Sequence, residues 1–269
     1  MPEARREAGS LLSHVLGCDR TYLISHSDET IKSEAIEKFE EYVQRRARGE
    51  PLQYITGVQD FFGLQFKVTP DVLIPRPETE LLVERAIDLL NNHPKQPKLI
   101  CDVGTGSGCI AVALLSANKE TKVVALDISR PAVQIANVNA IQNGVSERCW
   151  FVVSDCFAAL DDVHPPFDMI VSNPPYVSAA AFSGLQREVK DHEPHLALTP
   201  GGDGLKIIRK LLDQTPAYLK TEGYLLFEIG FDQGDTVRKI IQTDVWRLLQ
   251  IYPDLQGIPR IVVLQKKAP

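Results

Sequence analysis

Between residues 98 and 176 the chain carries four short apolar runs, separated by stretches long enough for helices. Residues 98–103 read as a first parallel strand, and residues 110–117 as the helix after a glycine turn. Residues 122–127, 150–153 and 167–172 read as further strands. Such alternation predicts a mostly parallel sheet with helices on both faces. Ligands of open α/β sheets bind beyond the carboxyl ends of the strands, so those ends are where chemistry is expected. Residues 223–229, 246–251 and 260–265 read as closing strands.

The first strand end is Asp102-Val103-Gly104-Thr105-Gly106-Ser107-Gly108, with Cys109 where a dinucleotide fingerprint would place its third glycine. A pyrophosphate cradle is therefore less apt than a loop approached by a smaller ligand, such as the amino-acid part of S-adenosylmethionine. The second strand ends in Asp127, about 25 residues after Asp102, near the ~20-residue offset of an acid that accepts from ribose hydroxyls. The alternative role for Asp127, a helix N-cap, is better filled by Ser129 with Pro131 behind it. After the third strand, Asp155 is placed to accept from an adenine amino group, with Cys156 and Phe157 beside the ring.

The fourth strand runs into Asn173-Pro174-Pro175-Tyr176. Two prolines stiffen the loop and aim carbonyl oxygens, because each ring locks φ and removes an N–H. The Asn173 side-chain oxygen and the Pro174 carbonyl can each take one hydrogen of a planar –NH2 group, and the Tyr176 ring can cover it. An amide or exocyclic amine held so turns its lone pair toward an electrophile, which predicts N-methylation. The plainer reading is a proline-rich turn opened by Asn. The ordered series Asp102, Asp127, Asp155, Asn173 at successive strand ends weighs against it.

With these residues in view, the sequence resembles the HemK/PrmC protein-(glutamine-N5) methyltransferases. The resemblance rests on Gly49-Glu50-Pro51-Leu52-Gln53-Tyr54-Ile55-Thr56-Gly57, on Leu73-Ile74-Pro75-Arg76-Pro77-Glu78-Thr79-Glu80 and on Asn173 to Tyr176. Glu193-Pro194, Ala197-Leu198, Gly201-Gly202-Asp203-Gly204-Leu205, Arg209 and Glu228-Ile229-Gly230 continue it over nearly the whole chain. It implies a seven-stranded, mostly parallel, Rossmann-like methyltransferase sheet with an antiparallel hairpin at its end. It also implies methyl transfer from S-adenosylmethionine to the glutamine of the Gly-Gly-Gln motif in class-1 peptide chain release factors. Carried over by position, Asn173, Pro174 and Tyr176 are catalytic, and Asn173 to Tyr176 bind the substrate. Gly104, Thr105, Gly106, Ser107, Gly108, Asp127, Asp155, Cys156 and Asn173 hold the methyl donor. The family often has an aromatic residue at the position of Cys156, so stacking on the adenine is weaker here or is supplied by Phe157. Against the family pattern a late start is expected, without the first helix typical of the amino-terminal domain.

Three parts are expected: a helical substrate-recognition domain over 1–51, a β-hairpin linker over 52–76 and the methyltransferase domain over 77–269. Helical periodicity is clearest from Thr30 to Arg48, with Ile31, Ala35, Ile36, Phe39, Tyr42 and Val43 on one face. Residues 52–72 read as strand-like around Gly57 and Gly63. The basic run Arg45-Arg46-Ala47-Arg48 reads as a solvated helix end, favoured by the helix dipole, ahead of a partner contact.

A net charge of −6 argues against a broad phosphate-contacting surface, so no direct nucleic-acid partner is expected. The rival reading remains an amino-methyltransferase acting on adenine N6, cytosine N4 or guanine N2, which would have to reach the base. A non-catalytic module that keeps the cofactor fold is a third reading, disfavoured by the intact glycine loop, Asp127 and Asn173. No run approaches the ~20 apolar residues of a membrane span, and the amino terminus shows no secretory h-region. Five cysteines without a C-x-x-C pair read as reduced, buried small hydrophobes of a cytoplasmic protein. His192 and His195 are separated by Glu193-Pro194, which breaks a ligand-bearing helix, so no metal is expected. A monomer is expected.

Overall fold

The computed structural model describes residues 2–91, 98–160 and 165–268. It opens with α1 (Pro2–Leu16), α2 (Arg20–Ser25) and α3 (Ser33–Ala47), followed by the short α4 (Leu52–Thr56). A hairpin of β1 (Val58–Phe61) and β2 (Leu64–Lys67) leads to α5 (Pro77–Asn91). The strand-like reading of residues 52–72 is corrected here. Leu52–Thr56 is helical, stopped by Gly57 in the left-handed conformation, and only two four-residue strands follow. Pro77 does open α5, with Glu78 and Glu80 in its first turn.

The main sheet is laid down by β3 (Leu99–Val103), α6 (Cys109–Ala117), β4 (Lys122–Asp127), α7 (Arg130–Gln142), β5 (Cys149–Val153) and β6 (Phe167–Ser172). Three short helices, α8 (Ala179–Phe182), α9 (Arg187–His192) and α10 (His195–Leu198), lead to α11 (Lys206–Tyr218). The chain closes with β7 (Leu219–Glu228), α12 (Gly234–Ile240), β8 (Trp246–Pro253) and β9 (Pro259–Lys266). Ser129 caps α7 by accepting the Ala132 N–H, which leaves Asp127 free for another role.

The seven strands lie in the order β5-β4-β3-β6-β7-β9-β8, parallel from β5 to β7, with β9 antiparallel to both its neighbours. This is the expected sheet and its closing antiparallel hairpin. Alternating residues feed two apolar layers. Val123, Ala125, Met169 and Val171 pack under α5 and α6, whereas Val124, Leu126 and Ile170 pack under α11 and α12. The chain moves outward from β3 to β5 and then returns to place β6 on the other side of β3. The β3/β6 junction is thus the topological switch point, where such sheets open a crevice.

The helical unit is fastened to the sheet unit by polar contacts. Arg46 pairs with Glu7 at 2.8 Å and with Glu188 of α9 at 2.7 Å, while Arg45 pairs with Glu50. The basic run is therefore an internal clamp for two of its arginines, not the solvated helix end that its composition predicts. Buried Glu193 accepts from the Arg76 guanidinium and from the Ile74 N–H, and the Tyr54 hydroxyl donates to Val72 O. Among the described residues no helix is long and apolar enough to cross a membrane.

Candidate active site

Two loops leave the switch point side by side. Asp102 on β3 is level with Val171 on β6, and the Ser172 hydroxyl donates to Val103 O at 2.7 Å. The glycine loop after β3 and the Asn173 loop after β6 consequently start from one rigid base.

Backbone hydrogen bonds shape the glycine loop. The Gly104 and Thr105 N–H groups both donate to Leu126 O, and the Gly106 N–H donates to Asp127 Oδ2 at 2.8 Å. Gly104 and Gly106 take positive φ, and a Cβ at either would meet no atom within 4 Å, so the turn borders open space. Gly108 enters α6 where a Cβ would press on Ala136 at 3.0 Å. Thr105 is buried and donates to Asp102 Oδ2 at 2.6 Å. Ser107 is buried beside the Cys109 thiol, and its carbonyl accepts from buried Asn139. Asp127 accepts one N–H on each oxygen, from Gly106 and from Ser129, which leaves lone pairs for a ligand's hydroxyls. Burial pushes its pKa up, against the lowering pull of those N–H groups.

Asp155, Cys156 and Phe157 stand one strand further out. The Asp155 carboxylate is exposed and ion-paired to Lys210 of α11 at 2.7 Å. An adenine amino group would have to share it with that lysine. Cys156 is buried at a left-handed φ of 51°, its carbonyl held by the Ser154 hydroxyl. Phe157 is buried and stacks on Tyr218 with ring centroids 4.7 Å apart. The expectation that Phe157 supplies an adenine-stacking face is corrected: its ring belongs to the core under α11.

Across the crevice, side chains do the holding. Asn173 Nδ2 donates to Thr79 Oγ1 at 3.0 Å, and Thr79 Oγ1 donates to Glu228 Oε2 at 2.7 Å. The Tyr176 hydroxyl donates to Glu228 Oε1 at 3.1 Å. Pro174 is buried between them, with Pro175 partly exposed. The Tyr176 carbonyl accepts from Gln233 Nε2, whose Oε1 takes the Gly230 N–H. A Cβ at Gly204 would collide with that carbonyl, so position 204 admits only glycine, whereas Gly201 and Gly202 border open space at positive φ. Burial pushes the Glu228 carboxyl pKa up, while the Thr79 and Tyr176 hydroxyls pull it down. Burial raises the Tyr176 phenol pKa well above the ordinary tyrosine value, and the Glu228 charge adds to the effect.

Sequence reading assigned no role to Thr79, Glu228, Gln233, Asn139 or Lys210. Thr79 and Glu228 lie within stretches that carry the family resemblance, but 149 residues separate them and only the fold makes them partners.

Residues 1–57 match the family model described as PrmC N-terminal domain, and residues 79–219 match the methyltransferase small domain. The release factor glutamine methyltransferase of Koribacter versatilis is 44% identical over 265 residues, covering 98% of this chain and 92% of that protein. The chain belongs to the HemK/PrmC family. The protein of the same description from Cereibacter sphaeroides is 40% identical over 261 residues, covering 97% of this chain and 90% of that relative. A solved structure of the T. thermophilus 16S rRNA N2 G1207 methyltransferase, in complex with AdoMet and guanosine, aligns at a TM-score of 0.54. It is 16% identical, covers 78% of this chain and 50% of that one, and speaks for the fold alone. The chain is an enzyme of the methyltransferase class, built on the corresponding Rossmann-like sheet.

Proposed function

We propose that this methyltransferase transfers a methyl group from S-adenosylmethionine to the side-chain amide nitrogen (N5) of glutamine in the Gly-Gly-Gln motif of class-1 peptide chain release factors. The names of full-length relatives support that substrate, and a partner in translation termination implies a cytoplasmic site of action. The observation that carries the reading is the orientation of the Asn173 amide. Its Nδ2 is committed to Thr79, so Oδ1 is the end that can accept an N–H from an incoming amide.

The glycine loop fits the methyl donor. Open space flanks Gly104 and Gly106, and Asp127 keeps lone pairs for ribose hydroxyls. Gly104 to Gly108 and Asp127 would hold it, with Asp155 and Cys156 at the adenine end and Asn173 bordering the methyl. When bound, S-adenosylmethionine supplies an electrophilic methyl on a sulfonium. Asn173 Oδ1 and the Pro174 carbonyl each take one hydrogen of the substrate amide, which turns its lone pair toward that methyl. Tyr176 covers the amide plane. The nitrogen sheds a proton only after gaining its new bond, so no strong base is needed among these residues. Glycines beside the glutamine let its backbone enter a narrow cleft that larger residues would block.

Mass spectrometry of a class-1 release factor after incubation with enzyme and S-adenosylmethionine tests the reading. One added methyl on the Gly-Gly-Gln glutamine is expected. An unmodified release factor, with methyl transfer to a base of an oligonucleotide instead, would replace this reading with the nucleic-acid one.

A further inference from the structure

A side-chain amide can lie either way round, and only one way serves the proposed reaction. With Oδ1 toward the substrate, Asn173 accepts an N–H; flipped, it opposes one –NH2 group with another. The direction is set by whatever meets Nδ2. A threonine hydroxyl has one proton, and with Glu228 ionised the Thr79 proton is used on Glu228 Oε2 at 2.7 Å. Thr79 Oγ1 can then only accept from Asn173, and it does so at 3.0 Å. The second oxygen of the same carboxylate takes the Tyr176 hydroxyl. Glu228 and Thr79 are both almost fully buried, so water does not compete for these bonds.

We propose that Glu228 and Thr79 are positioning residues for methyl transfer, the carboxylate orienting Asn173 through the Thr79 hydroxyl and Tyr176 directly. One buried acid thereby fixes the first and last residues of the Asn173–Tyr176 loop. It does so from β7, the strand that pairs Phe227 with Ser172 at the end of β6. This rests on the glutamine-methylation reading and names residues that act one step behind it.

Thr79→Val and Thr79→Ser separate orientation from packing. Valine keeps the shape and loses the hydroxyl, whereas serine keeps the hydroxyl and loses a methyl. With a release factor as substrate, Thr79→Val should lower kcat about tenfold or more, the scale of one oriented hydrogen bond. Thr79→Ser should stay within about threefold of wild type, and neither should change S-adenosylmethionine affinity appreciably. In an Asn173→Ala background, Thr79→Val should have little further effect, because its influence runs through Asn173. A packing role predicts the reverse order, with valine the better replacement, and that order would overturn the proposal. A second readout needs no substrate: exchange of the Asn173 side-chain NH2 protons, followed by NMR. Protection in wild type and Thr79→Ser, lost in Thr79→Val, is expected, and equal exchange in all three would also overturn it. Wild-type enzyme inactive on release factor would defeat the substrate reading, with the NH2 exchange still deciding the orientation claim.

Discussion

Across the β3/β6 junction, the glycine loop is held by main chain and the Asn173 loop by side chains. Gly104, Thr105 and Gly106 donate N–H groups to Leu126 and Asp127, so that loop's shape follows from glycine backbone freedom and one carboxylate. Asn173 and Tyr176 are set by Thr79 and Glu228, from α5 and β7. The difference has a chemical reason. A donor's amino-acid and ribose groups can be met by backbone dipoles at a strand end, while a reacting amide needs an acceptor aimed in one direction. Backbone-made sites tolerate changes to neighbouring side chains, and relays do not.

If that contrast is right, the largest effect falls on the relay side. Asn173→Ala removes the aimed acceptor and should lower kcat by roughly 10²–10³, the scale of one lost oriented polar group. Steady-state methyl transfer to a release factor checks it, and full activity would break the mechanism. Asn173→Asp keeps an acceptor and should retain part of the rate. Tyr176→Phe should be milder than Tyr176→Ala, since the ring survives and only the Glu228 contact is lost.

On the glycine-loop side, Asp127→Ala should weaken S-adenosylmethionine binding by about 1–3 kcal/mol, because the Gly106 and Ser129 N–H groups lose their acceptor together with the ribose contact. Titration calorimetry measures this. Asn173→Ala should change that affinity less, and equal losses in both variants would erase the contrast between the two loops.

The glycine-loop side was legible in sequence because its signals are local. Glycines, a strand-end Asp and a proline-backed Ser129 cap act within a few residues of where they stand. Alternating apolar runs likewise gave the parallel sheet. Asn173 to Tyr176 stood out for the same reason, as a stiff turn straight after a strand. Thr79 and Glu228 were visible as parts of two motifs, but their partnership is a tertiary fact. Phe157 misled because nothing local distinguishes a ring facing a cleft from one stacked on Tyr218. Arg46 misled because its two acids lie 39 residues before it on α1 and far beyond it on α9. Residues 52–56 read as strand because Tyr and Ile suit a strand, yet Tyr54 and Ile55 are buried on a helical turn.

A third test concerns Asp102, under the glycine loop. Burial pushes its pKa up to about 7, offset in part by the Thr105 hydroxyl and the Ala111 N–H. A carboxyl with a raised folded pKa binds its proton more tightly when folded. Its stabilising share is therefore complete below the unfolded value near 3.8 and is lost as pH rises through about 7. Asp102→Asn cannot titrate. From about pH 5 to about pH 8 it should gain on wild type by roughly 2–3 kcal/mol in denaturant unfolding. A gap that does not change with pH would mean Asp102 stays charged in the folded protein.

The smallest effect is expected furthest from either loop. Arg46 joins α1 to α9 through Glu7 and Glu188, but the three side chains are 22%, 26% and 35% exposed. Partly solvated pairs are screened and carry a side-chain ordering penalty, so Arg46→Ala should destabilise by no more than about 1 kcal/mol, and less in high salt. The kcat of methyl transfer should stay near wild type, since neither Asn173 nor Asp127 touches this clamp. A fall in kcat approaching that of Asn173→Ala would show that α9, which lies in the chain between Tyr176 and the Gly201–Gly204 turn, transmits the clamp to the acceptor loop. The relay from Glu228 would then share control of Asn173 with the helical unit, and the division between a backbone-held loop and a side-chain-held loop would need a third support.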